Sequence, residues 1–357
     1  MVNGGETIWD KELEEFLAQT SKRIKVIGCG GAGSNTIQRL YEMNIEGVEL
    51  IAINTDVRHL INVKAHKKVL IGKQLTRGLG AGKDPKVGEE AAKESEQEIK
   101  KLLENTDVIF LTAGLGGGTG GGSIPVVAEI AKKMGILTIA VVTWPFSVEG
   151  AVIWDNAEYS LSRLENNVDL LIVIPNDKIL ELYPNIPLKN AFKVADSILA
   201  NALRELSELL TRSGYINVDF ADFRAIVQNS GYGIFGLGES NSEKKAEEAV
   251  QRALTNPLID VDITGAKAAL VRITASEDVT TAEVNTVLDN VRAVLDPNAK
   301  IIYGVAFEPE KKSYMRVSVT ITKLKSIPTF VRGIKKQMEI TKEEKGKIET
   351  ELGIDII

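Results

Sequence analysis

Short apolar runs alternate with amphipathic segments along the first half of the chain. The apolar runs have the near-continuous hydrophobic character of strands that are buried on both faces. They are RIKVIGCG, GVELIAINTD, DVIFLTAG, ILTIAVVTWPF and DLLIVIPND. Between them, the segment GSNTIQRLYEMN and residues 87–104 and 124–134 have the spacing of helices. Alternating strands and helices predict a parallel sheet covered on both faces, which is the architecture of an α/β domain.

The longest helical pattern covers residues 188–213 and ends at a Ser-Gly pair, a typical end of a helix. After it, the strand patterns ALVRITAS, IIYGVAF and MRVSVTIT mix with helical patterns at 241–254 and 280–294. This change predicts a second, smaller α+β domain. The expected organisation is an N-terminal extension (1–21), a nucleotide-type α/β domain (22–187), a connecting helix (188–213), an α+β domain (214–325) and a charged tail (326–357).

Charge and composition narrow the classes of function. The formal net charge is −6, so no basic face is expected to attract nucleic acid. No window approaches the roughly 18 apolar residues of a membrane span, and the first residues lack the features of a signal peptide. The single cysteine, Cys29, is typical of a reducing compartment, and with two histidines the chain cannot assemble a Cys/His zinc set. We expect a cytoplasmic protein that binds any metal through oxygen atoms.

The first glycine cluster, IGCGGAGSN, follows a predicted strand and opens a predicted helix. Backbone N–H groups of residues 30–35 would therefore lie at a helix N-terminus, where phosphate binds. Gly28, Gly30 and Gly33 also fit G-x-G-x-x-G, and Asp56 ends the next strand, where a dinucleotide-binding protein keeps its ribose carboxylate. An NAD-type oxidoreductase and a glycine-rich turn without a ligand are the alternatives at this point.

A second cluster, LTAGLGGGTGGGS, repeats the arrangement of strand, glycine loop and helix within the same domain. One pyrophosphate needs one such loop, so two loops favour a longer polyanion, and a triphosphate fits best. Between Gly116 and Gly122 the side chain with a hydroxyl is Thr119, which could donate to a phosphate or face water bound to Mg²⁺. The segment TRGLGAGKDP could close over the third phosphate, and no Walker A motif occurs.

The motifs GCGGAGSN, AINTD, TRGLGAG, GLGGGTGGG, VVTWPFSVEG, AFKVAD and INVDFADFRAI occur in this order. Together they resemble FtsZ, the tubulin-like GTPase family that builds the prokaryotic division ring, from about Lys22 to Thr322. The resemblance implies a tubulin/FtsZ-like fold: a Rossmann-type parallel-sheet GTPase domain, a long connecting helix and a smaller α+β domain. It also implies GTP and GDP as ligands, Mg²⁺ held through phosphates and water without direct protein ligands, and a place at the mid-cell division ring.

The resemblance assigns nucleotide-binding roles residue by residue. Glu149 is implied to contact the ribose, Phe192 to stack on the base and Asp196 to accept hydrogen bonds from guanine. The residues implied to surround the phosphates or approach the base are Gly30, Gly31, Ala32, Gly33, Ser34, Asn35, Asp56, Gly80, Ala81, Gly82, Gly116, Gly117, Gly118, Thr119 and Gly120.

The implied catalytic residues, Asn217, Asp219 and Asp222, follow the long helix. At about 1.5 Å per residue, that helix separates them from the glycine loops by tens of ångströms. The family's arrangement has them enter the nucleotide pocket of the next subunit, so that hydrolysis requires a head-to-tail homopolymer. From the residues alone, Asp219 and Asp222 are equally typical of a helix N-cap followed by an acidic first turn.

One departure and two alternatives qualify the resemblance. Ile153 stands where the family usually has an arginine that contacts phosphate, which predicts weaker nucleotide contact or slower turnover unless Arg77 or Arg163 reaches the site. The C-terminal tail is a candidate docking peptide for membrane-tethering division proteins. The competing functions are a dinucleotide-binding oxidoreductase and a nucleotide-binding scaffold that does not hydrolyse its ligand.

Overall fold

The computed structural model of the chain describes residues 22–182, 185–212, 214–256 and 261–328, with Phe330, Val331 and Gly333. Its strands, in chain order, are Ile24–Cys29 (β1), Val48–Asn54 (β2), Lys67–Leu70 (β3), Val108–Gly114 (β4), Leu137–Trp144 (β5), Leu170–Pro175 (β6), Gly231–Ser240 (β7), Ala268–Ala275 (β8), Lys300–Phe307 (β9) and Met315–Thr322 (β10). They form one sheet in the order β3-β2-β1-β4-β5-β6-β7-β10-β8-β9.

The described α-helices connect these strands and cover the sheet. They are Gly30–Glu42 (α1), Val57–Asn62 (α2), Pro85–Glu94 (α3), Glu96–Leu103 (α4), Gly118–Lys133 (α5), Ala151–Leu164 (α6), Asp177–Leu182 (α7), Leu188–Thr211 (α8), Phe220–Val227 (α9), Lys245–Leu254 (α10) and Thr281–Val294 (α11). A short 3₁₀ turn, Ser147–Glu149, precedes α6.

The six N-terminal strands are parallel and lie between two layers of helices. Every residue of β1 and of β5 is buried, because both faces of these strands contact helices. On one face the core includes Ile99, Val127 and Leu161, which come from α4, α5 and α6. On the other face it includes Ile37 of α1 and Leu203 of α8. The predicted α/β architecture is confirmed.

Strand β7 joins the two halves of the sheet. Residues 231–233 pair in parallel with β6, and residues 234–240 pair in antiparallel fashion with β10. Beyond β7 a third core contains Val271 of β8, Ala249 of α10 and Val287 of α11. This second unit is the predicted smaller α+β part, and its backbone hydrogen bonds continue directly from the parallel sheet.

Three helices differ from the pattern-based prediction. The predicted helix 87–104 is divided at Ser95, whose hydroxyl accepts a hydrogen bond from the Gly72 N–H at 3.1 Å. The predicted helix 124–134 begins six residues earlier, at Gly118, so much of the glycine run is helical. The long helix ends at Thr211. The predicted N-terminal extension lies outside the described residues.

The chain after β10 returns to the α/β half of the molecule. Val331 is fully buried in the core beside the parallel sheet, and Ile327 and Phe330 pack against the same core. The ring of Phe330 lies 5.9 Å from that of Trp144. The start of the predicted tail is therefore folded onto the sheet, whereas residues 334–357 lie outside the described part of the chain.

Candidate functional site

A cleft opens at the carboxyl ends of the central parallel strands, the edge where α/β sheets usually bind ligands. Its volume is about 330 Å³. Ten of the residues predicted to bind nucleotide line it: Gly31, Ala32, Ala81, Gly117, Gly118, Thr119, Gly120, Glu149, Phe192 and Asp196. They come from separate parts of the sequence, and the fold brings them to one site.

The two glycine clusters touch each other at the floor of this cleft. Gly30 has φ +72°, in the left-handed region, and a Cβ atom at this position would lie 2.5 Å from the backbone nitrogen of Gly120. A side chain at Gly28 would collide with the carbonyl oxygen of Gly33, where β1 turns into α1. Glycine is needed at these positions because the backbones approach too closely for any side chain.

The second glycine run packs against neighbouring backbone as helix α5 begins. A Cβ atom at Gly118 would lie 2.7 Å from the nitrogen of Asp84, and one at Gly120 would lie 2.9 Å from the carbonyl oxygen of Cys29. Gly122 is enclosed in the same way. The concentration of glycine therefore allows the start of a helix, where N–H groups lack partners within the helix, to lie between two other segments and line the cleft.

The third predicted phosphate segment, residues 78–84, leads into helix α3. Gly80 and Gly82 have φ +90° and +59°, and Lys83 has the unusual value of +65° for a residue with a side chain. Asp84 caps α3 by accepting a hydrogen bond from the Lys86 N–H at 2.9 Å. Lys83 lines the cleft, so this segment adds a cation to the site.

Thr119 is held by two hydrogen bonds at the wall of the cleft. Its Oγ1 atom lies 2.6 Å from the Oγ1 atom of Thr55, a buried residue just after β2. Its carbonyl oxygen accepts a hydrogen bond from the Ser123 hydroxyl at 2.6 Å. The Thr119 hydroxyl thus has a hydrogen-bond partner, Thr55, that the sequence pattern did not indicate.

Helix α8 contributes an aromatic ring and a carboxylate to the opposite end of the cleft. Phe192 is 40 % exposed, and its ring stands edge-on to that of Phe146 with 5.1 Å between centroids. Burial raises the pKa of Asp196 to about 6, although the charge of Arg39 and a hydrogen bond from the Asn35 side chain act in the opposite direction. An exposed ring beside a half-buried hydrogen-bond acceptor suits a flat heterocycle with N–H donors.

Glu149 lies between these two ends. Its Oε1 atom accepts a hydrogen bond from the Phe146 N–H at 2.9 Å, which fixes the side chain at the edge of the cleft. Burial raises the pKa of Glu149, an effect opposed by that hydrogen bond and by the charge of Lys83. Because one oxygen is occupied by the backbone, the other remains to accept a hydrogen bond from a ligand.

Eight residues from the predicted binding set do not line the cleft: Gly30, Gly33, Ser34, Asn35, Asp56, Gly80, Gly82 and Gly116. Ser34 is completely buried within α1. The Oδ1 atom of Asp56 caps α2 by accepting from the N–H groups of Arg58 and His59 at 2.9 and 3.2 Å. The Asp56 carboxylate, which suggested a dinucleotide site in the sequence analysis, is therefore the N-cap of a helix.

The structure adds cleft residues that the sequence analysis missed. Thr143 and Asn176 line the cleft at the ends of β5 and β6, and both are buried. Among the described residues, the Oδ1 atom of Asn176 has no hydrogen-bond partner. A polar residue at the carboxyl end of a buried parallel strand was the available signal for both.

The predicted catalytic residues lie outside the cleft, beyond the far end of α8. Asn217 accepts a hydrogen bond from the Gly214 N–H at 2.7 Å, and Asp219 caps helix α9 by accepting from the Ala221 N–H at 2.6 Å. The Asp222 carboxylate is 52 % exposed and pairs with Lys300 at 2.6 Å. From Asp196 to Thr211 the helix alone rises about 22 Å. Within one chain these side chains cannot reach a ligand in the cleft.

Comparison with known proteins assigns the family. A family model described as the GTPase domain of the Tubulin/FtsZ family matches residues 23–184, and the FtsZ family C-terminal domain matches residues 231–325. Cell division protein FtsZ 1 of Methanocaldococcus jannaschii is 54% identical over 334 residues, which are 93% of this chain and 92% of that protein. The chain belongs to the FtsZ family. The FtsZ 1 protein of Thermococcus kodakarensis is 51% identical over 96% of this chain and 91% of its own length.

A solved structure agrees with the FtsZ assignment. The structure described as "FtsZ dimer, empty (M. jannaschii)" matches with a TM-score of 0.84 and 55% identity, over 88% of this chain and 92% of that one. As an FtsZ-family GTPase the chain binds guanine nucleotide, and the comparisons give no support to a dinucleotide oxidoreductase or a non-hydrolysing scaffold. Within the described residues, no helix has both the length and the apolar character needed to cross a membrane.

Neither of the two arginines considered as substitutes for the usual FtsZ arginine is among the residues that line the cleft. The guanidinium of Arg163 pairs with Glu89 at 2.6 Å. Ile153 packs on the second glycine loop, because a Cβ atom at Gly116 would lie 2.6 Å from Ile153 Cγ2. Among the described residues lining the cleft, Lys83 carries the positive charge.

Proposed function

We propose that this chain hydrolyses GTP between head-to-tail copies of itself and forms filaments that act in cell division. The observation that carries the proposal is a separation: the cleft lies at one end of α8, and exposed carboxylates lie beyond the other. A contact between two different surfaces of identical chains is heterologous and propagates into a filament. The names of the relatives, "Cell division protein FtsZ 1" and "FtsZ dimer, empty", agree with this proposal.

In this proposal the α8 end of the cleft binds guanine. The Asp196 carboxylate accepts hydrogen bonds from the N1 and N2 donors of the base, and the Phe192 ring stacks on it. Asn176 adds a buried amide oxygen without a partner among the described residues, which suits a donor on the nucleoside. Glu149 accepts a hydrogen bond from a ribose hydroxyl.

The glycine loops then hold the phosphates. Backbone N–H groups at the starts of α1 and α5 bind phosphate oxygens, and Lys83 offsets negative charge near the third phosphate. Mg²⁺ would be held by phosphate oxygens and water, with the hydroxyl of Thr119 as the neighbouring protein oxygen, a donor type that this ion prefers. When bound, the ion neutralises charge that develops on the transferred phosphoryl group.

Surfaces near the two ends of α8 suit mutual contact. Leu79, Val148 and Val152, each more than 70 % exposed, lie in segments that flank the cleft. Tyr215, in the segment that leads to the catalytic candidates, is 78 % exposed. Apolar side chains grouped around a binding cleft are typical of an interaction surface. Docking would bring Asn217, Asp219 and Asp222 to the triphosphate of the neighbouring chain, where a carboxylate orients the attacking water.

The proposal is tested by mixing two variants that are each inactive. Gly31→Glu introduces a carboxylate into the phosphate region without collision, since a Cβ atom at Gly31 has nothing within 4 Å. Asp222→Ala retains the nucleotide cleft and lacks the carboxylate that acts in the neighbour. A filament contact between the two variants contains one complete site, so the mixture is expected to release phosphate from GTP when neither variant alone does.

The matched control is the double variant Gly31→Glu/Asp222→Ala, which restores no activity when mixed with Asp222→Ala. Wild-type turnover per molecule is expected to rise with protein concentration, in parallel with light scattering. Constant turnover at every dilution, or full activity of Asp222→Ala alone, contradicts a site shared between chains.

We further propose that this filament works in the cytoplasm at the division ring, and that the C-terminal tail binds membrane-tethering division proteins. The tail after Gly333 lies outside the described residues, so this part rests on the resemblance and on the names of the relatives. Deleting residues 334–357 is expected to leave GTP hydrolysis intact and to abolish recruitment of the filaments to the membrane.

A further inference from the structure

One side chain joins two loops of the cleft. The Nδ2 atom of Asn156, on the second turn of α6, donates a hydrogen bond to the carbonyl oxygen of Lys83 at 2.8 Å. The same nitrogen lies 3.3 Å from the carbonyl oxygen of Gly116 and donates to it as well. Lys83 belongs to the loop before α3, and Gly116 belongs to the glycine loop before α5. A single amide therefore fixes the distance between two segments far apart in sequence.

The helix that carries Asn156 is itself closely fitted to the glycine loop. One turn before it, Ile153 packs against Gly116, with its carbonyl oxygen 2.8 Å from where a Cβ atom would stand. One turn after it, the Ser160 hydroxyl donates to the carbonyl oxygen of Asn156 at 2.7 Å and packs against Gly121. The spacing i, i+3, i+7 puts these three residues on one face of α6, and this face sets the position of the amide.

The two carbonyl groups that Asn156 binds belong to residues with unusual backbone geometry. Lys83 has φ +65° and Gly116 has φ +94°. A non-glycine residue in the left-handed region costs roughly 1–2 kcal/mol, and such a conformation persists where surrounding contacts hold it. The amide of Asn156 is such a contact for Lys83, whose side chain supplies the cation of the cleft.

We propose that Asn156 is a positioning residue that sets the width of the phosphate end of the cleft and thereby favours the triphosphate over the diphosphate. The inference rests on the proposed function, in which the loop at 78–84 faces the third phosphate. Here α6 presents Ile153 at the place of the usual arginine and so contributes no cation. The contribution of α6 to phosphate binding is instead the Asn156 amide, which holds the Lys83 loop and the second glycine loop at a fixed distance from each other.

The test compares GTP and GDP affinity in Asn156→Leu, which keeps the shape of the side chain and removes the donor. Affinities are measured at protein concentrations below assembly, in the Asp222→Ala background, so that neither hydrolysis nor filament formation contributes. Loss of the hydrogen bonds to the two loops is expected to weaken GTP binding roughly tenfold, with a change of less than about twofold for GDP.

Asn167→Leu is the matched control, because Asn167 donates a comparable hydrogen bond to the Arg163 carbonyl at 2.9 Å, away from the cleft. It is expected to bind both nucleotides as the background protein does. Asn156→Ser, a smaller change, provides the same comparison if the leucine variant does not fold. Equal weakening of GTP and GDP, or no weakening, overturns the inference. Failure of the Asp222→Ala background itself to bind GTP contradicts the proposed function instead.

Discussion

The Nε2 atom of His59 lies 3.1 Å from the Oδ1 atom of Asn35, beside the cleft. The direction of this hydrogen bond follows from the contacts of Asn54, which lies on the other side of the His59 ring. Asn54 accepts the Thr55 N–H with its Oδ1 at 2.8 Å, so its Nδ2 faces His59 Nδ1 at 3.0 Å. His59 must then carry its proton on Nε2 and donate it to Asn35. This arrangement leaves the Asn35 amide nitrogen free to donate to Asp196.

Replacing His59 with leucine is expected to weaken GTP binding about three- to tenfold, because the Asn35 amide loses the bond that orients it. Equilibrium binding to monomeric protein is the measurement. His66→Leu is the matched control: its Nδ1 accepts the Leu50 N–H at 2.9 Å, away from the cleft, and its loss should affect stability without affecting affinity. Equal affinities in the two variants contradict the role given to His59.

The raised pKa of Asp196, about 6, predicts how GTP affinity depends on pH. Above pH 6 the carboxylate is ionised and, in the proposed complex, accepts the guanine donors, whereas below pH 6 its proton must be released before GTP binds. GTP affinity is therefore expected to fall by up to about tenfold per pH unit below 6. Asp196→Asn should bind weakly at every pH. A wild-type profile that is flat between pH 7 and 5 contradicts this prediction.

The raised pKa of Asp196 affects the stability of the folded protein in the opposite direction, so that rising pH lowers stability. A folded-state pKa above the unfolded value means that the folded chain binds more protons between about pH 4 and 6, so this group lowers stability as pH rises through that window. Asp196→Asn removes the buried charge and is expected to raise the free energy of unfolding at pH 7.5 by about 1–3 kcal/mol. Urea unfolding of the nucleotide-free protein measures it, and the gain should disappear near pH 4.

Two glycines, Gly88 against the second glycine loop and Gly31 in the cleft, are expected to respond differently to alanine. At Gly88 a Cβ atom would collide with the carbonyl oxygen of Gly118 and lie 3.0 Å from Thr119 Cα, whereas at Gly31 it would meet nothing within 4 Å. Gly88→Ala is expected to destabilise the protein by about 1–3 kcal/mol, and Gly31→Ala to change stability by less than about 1 kcal/mol. Thermal unfolding without nucleotide compares them, and similar losses contradict the packing argument.

Ile153→Arg tests the departure from the usual family residue. A guanidinium on α6 could make a bidentate contact with phosphate, so the variant is expected to bind GTP more tightly or turn it over faster. Steady-state kinetics at fixed protein concentration are the measurement. Ile153→Met is the control, because methionine, like arginine, lacks the Cβ branch of isoleucine but carries no charge. Unchanged affinity and rate in the arginine variant contradict the prediction.

A buried ion cluster ties α8 to the C-terminal sheet. Glu205 has 1% of its side chain exposed and pairs with Arg272 at 2.6 Å, and Glu208 pairs with the same guanidinium. Glu205→Leu leaves a buried positive charge undercompensated and is expected to cost about 3–5 kcal/mol. The double variant Glu205→Leu/Arg272→Met should recover most of that loss in urea unfolding. No recovery contradicts a pairing role.

The parallel sheet could be predicted because strands buried on both faces leave a continuous apolar signature, as in β5. The division of the helix at Ser95 could not, and the hydroxyl at that point accepts a hydrogen bond from Gly72, 23 residues away. The same holds for Thr55 and Thr119, which meet across 64 positions. The local pattern of apolar and polar residues indicates which positions are buried and where turns occur, whereas contacts between distant segments depend on the assembled fold.

The glycine run is the clearest example within the site. Its composition suggested bare backbone for phosphate, and the loop does line the cleft. The structure adds a second reason, since Gly118 and Gly120 lie against the backbone of other segments. Composition cannot separate these two requirements because both are met by the same absence of a side chain.

Helix α8 has one further consequence, for the geometry of any filament. Its 24 residues rise about 36 Å between the end beside the cleft and the end that leads to the segment proposed to reach the next chain. Successive nucleotides along a head-to-tail filament would therefore be spaced largely by the length of one rigid rod. The repeat distance along the filament would then depend on the number of residues in α8. Inserting one helical turn in this helix should lengthen the repeat by about 5 Å.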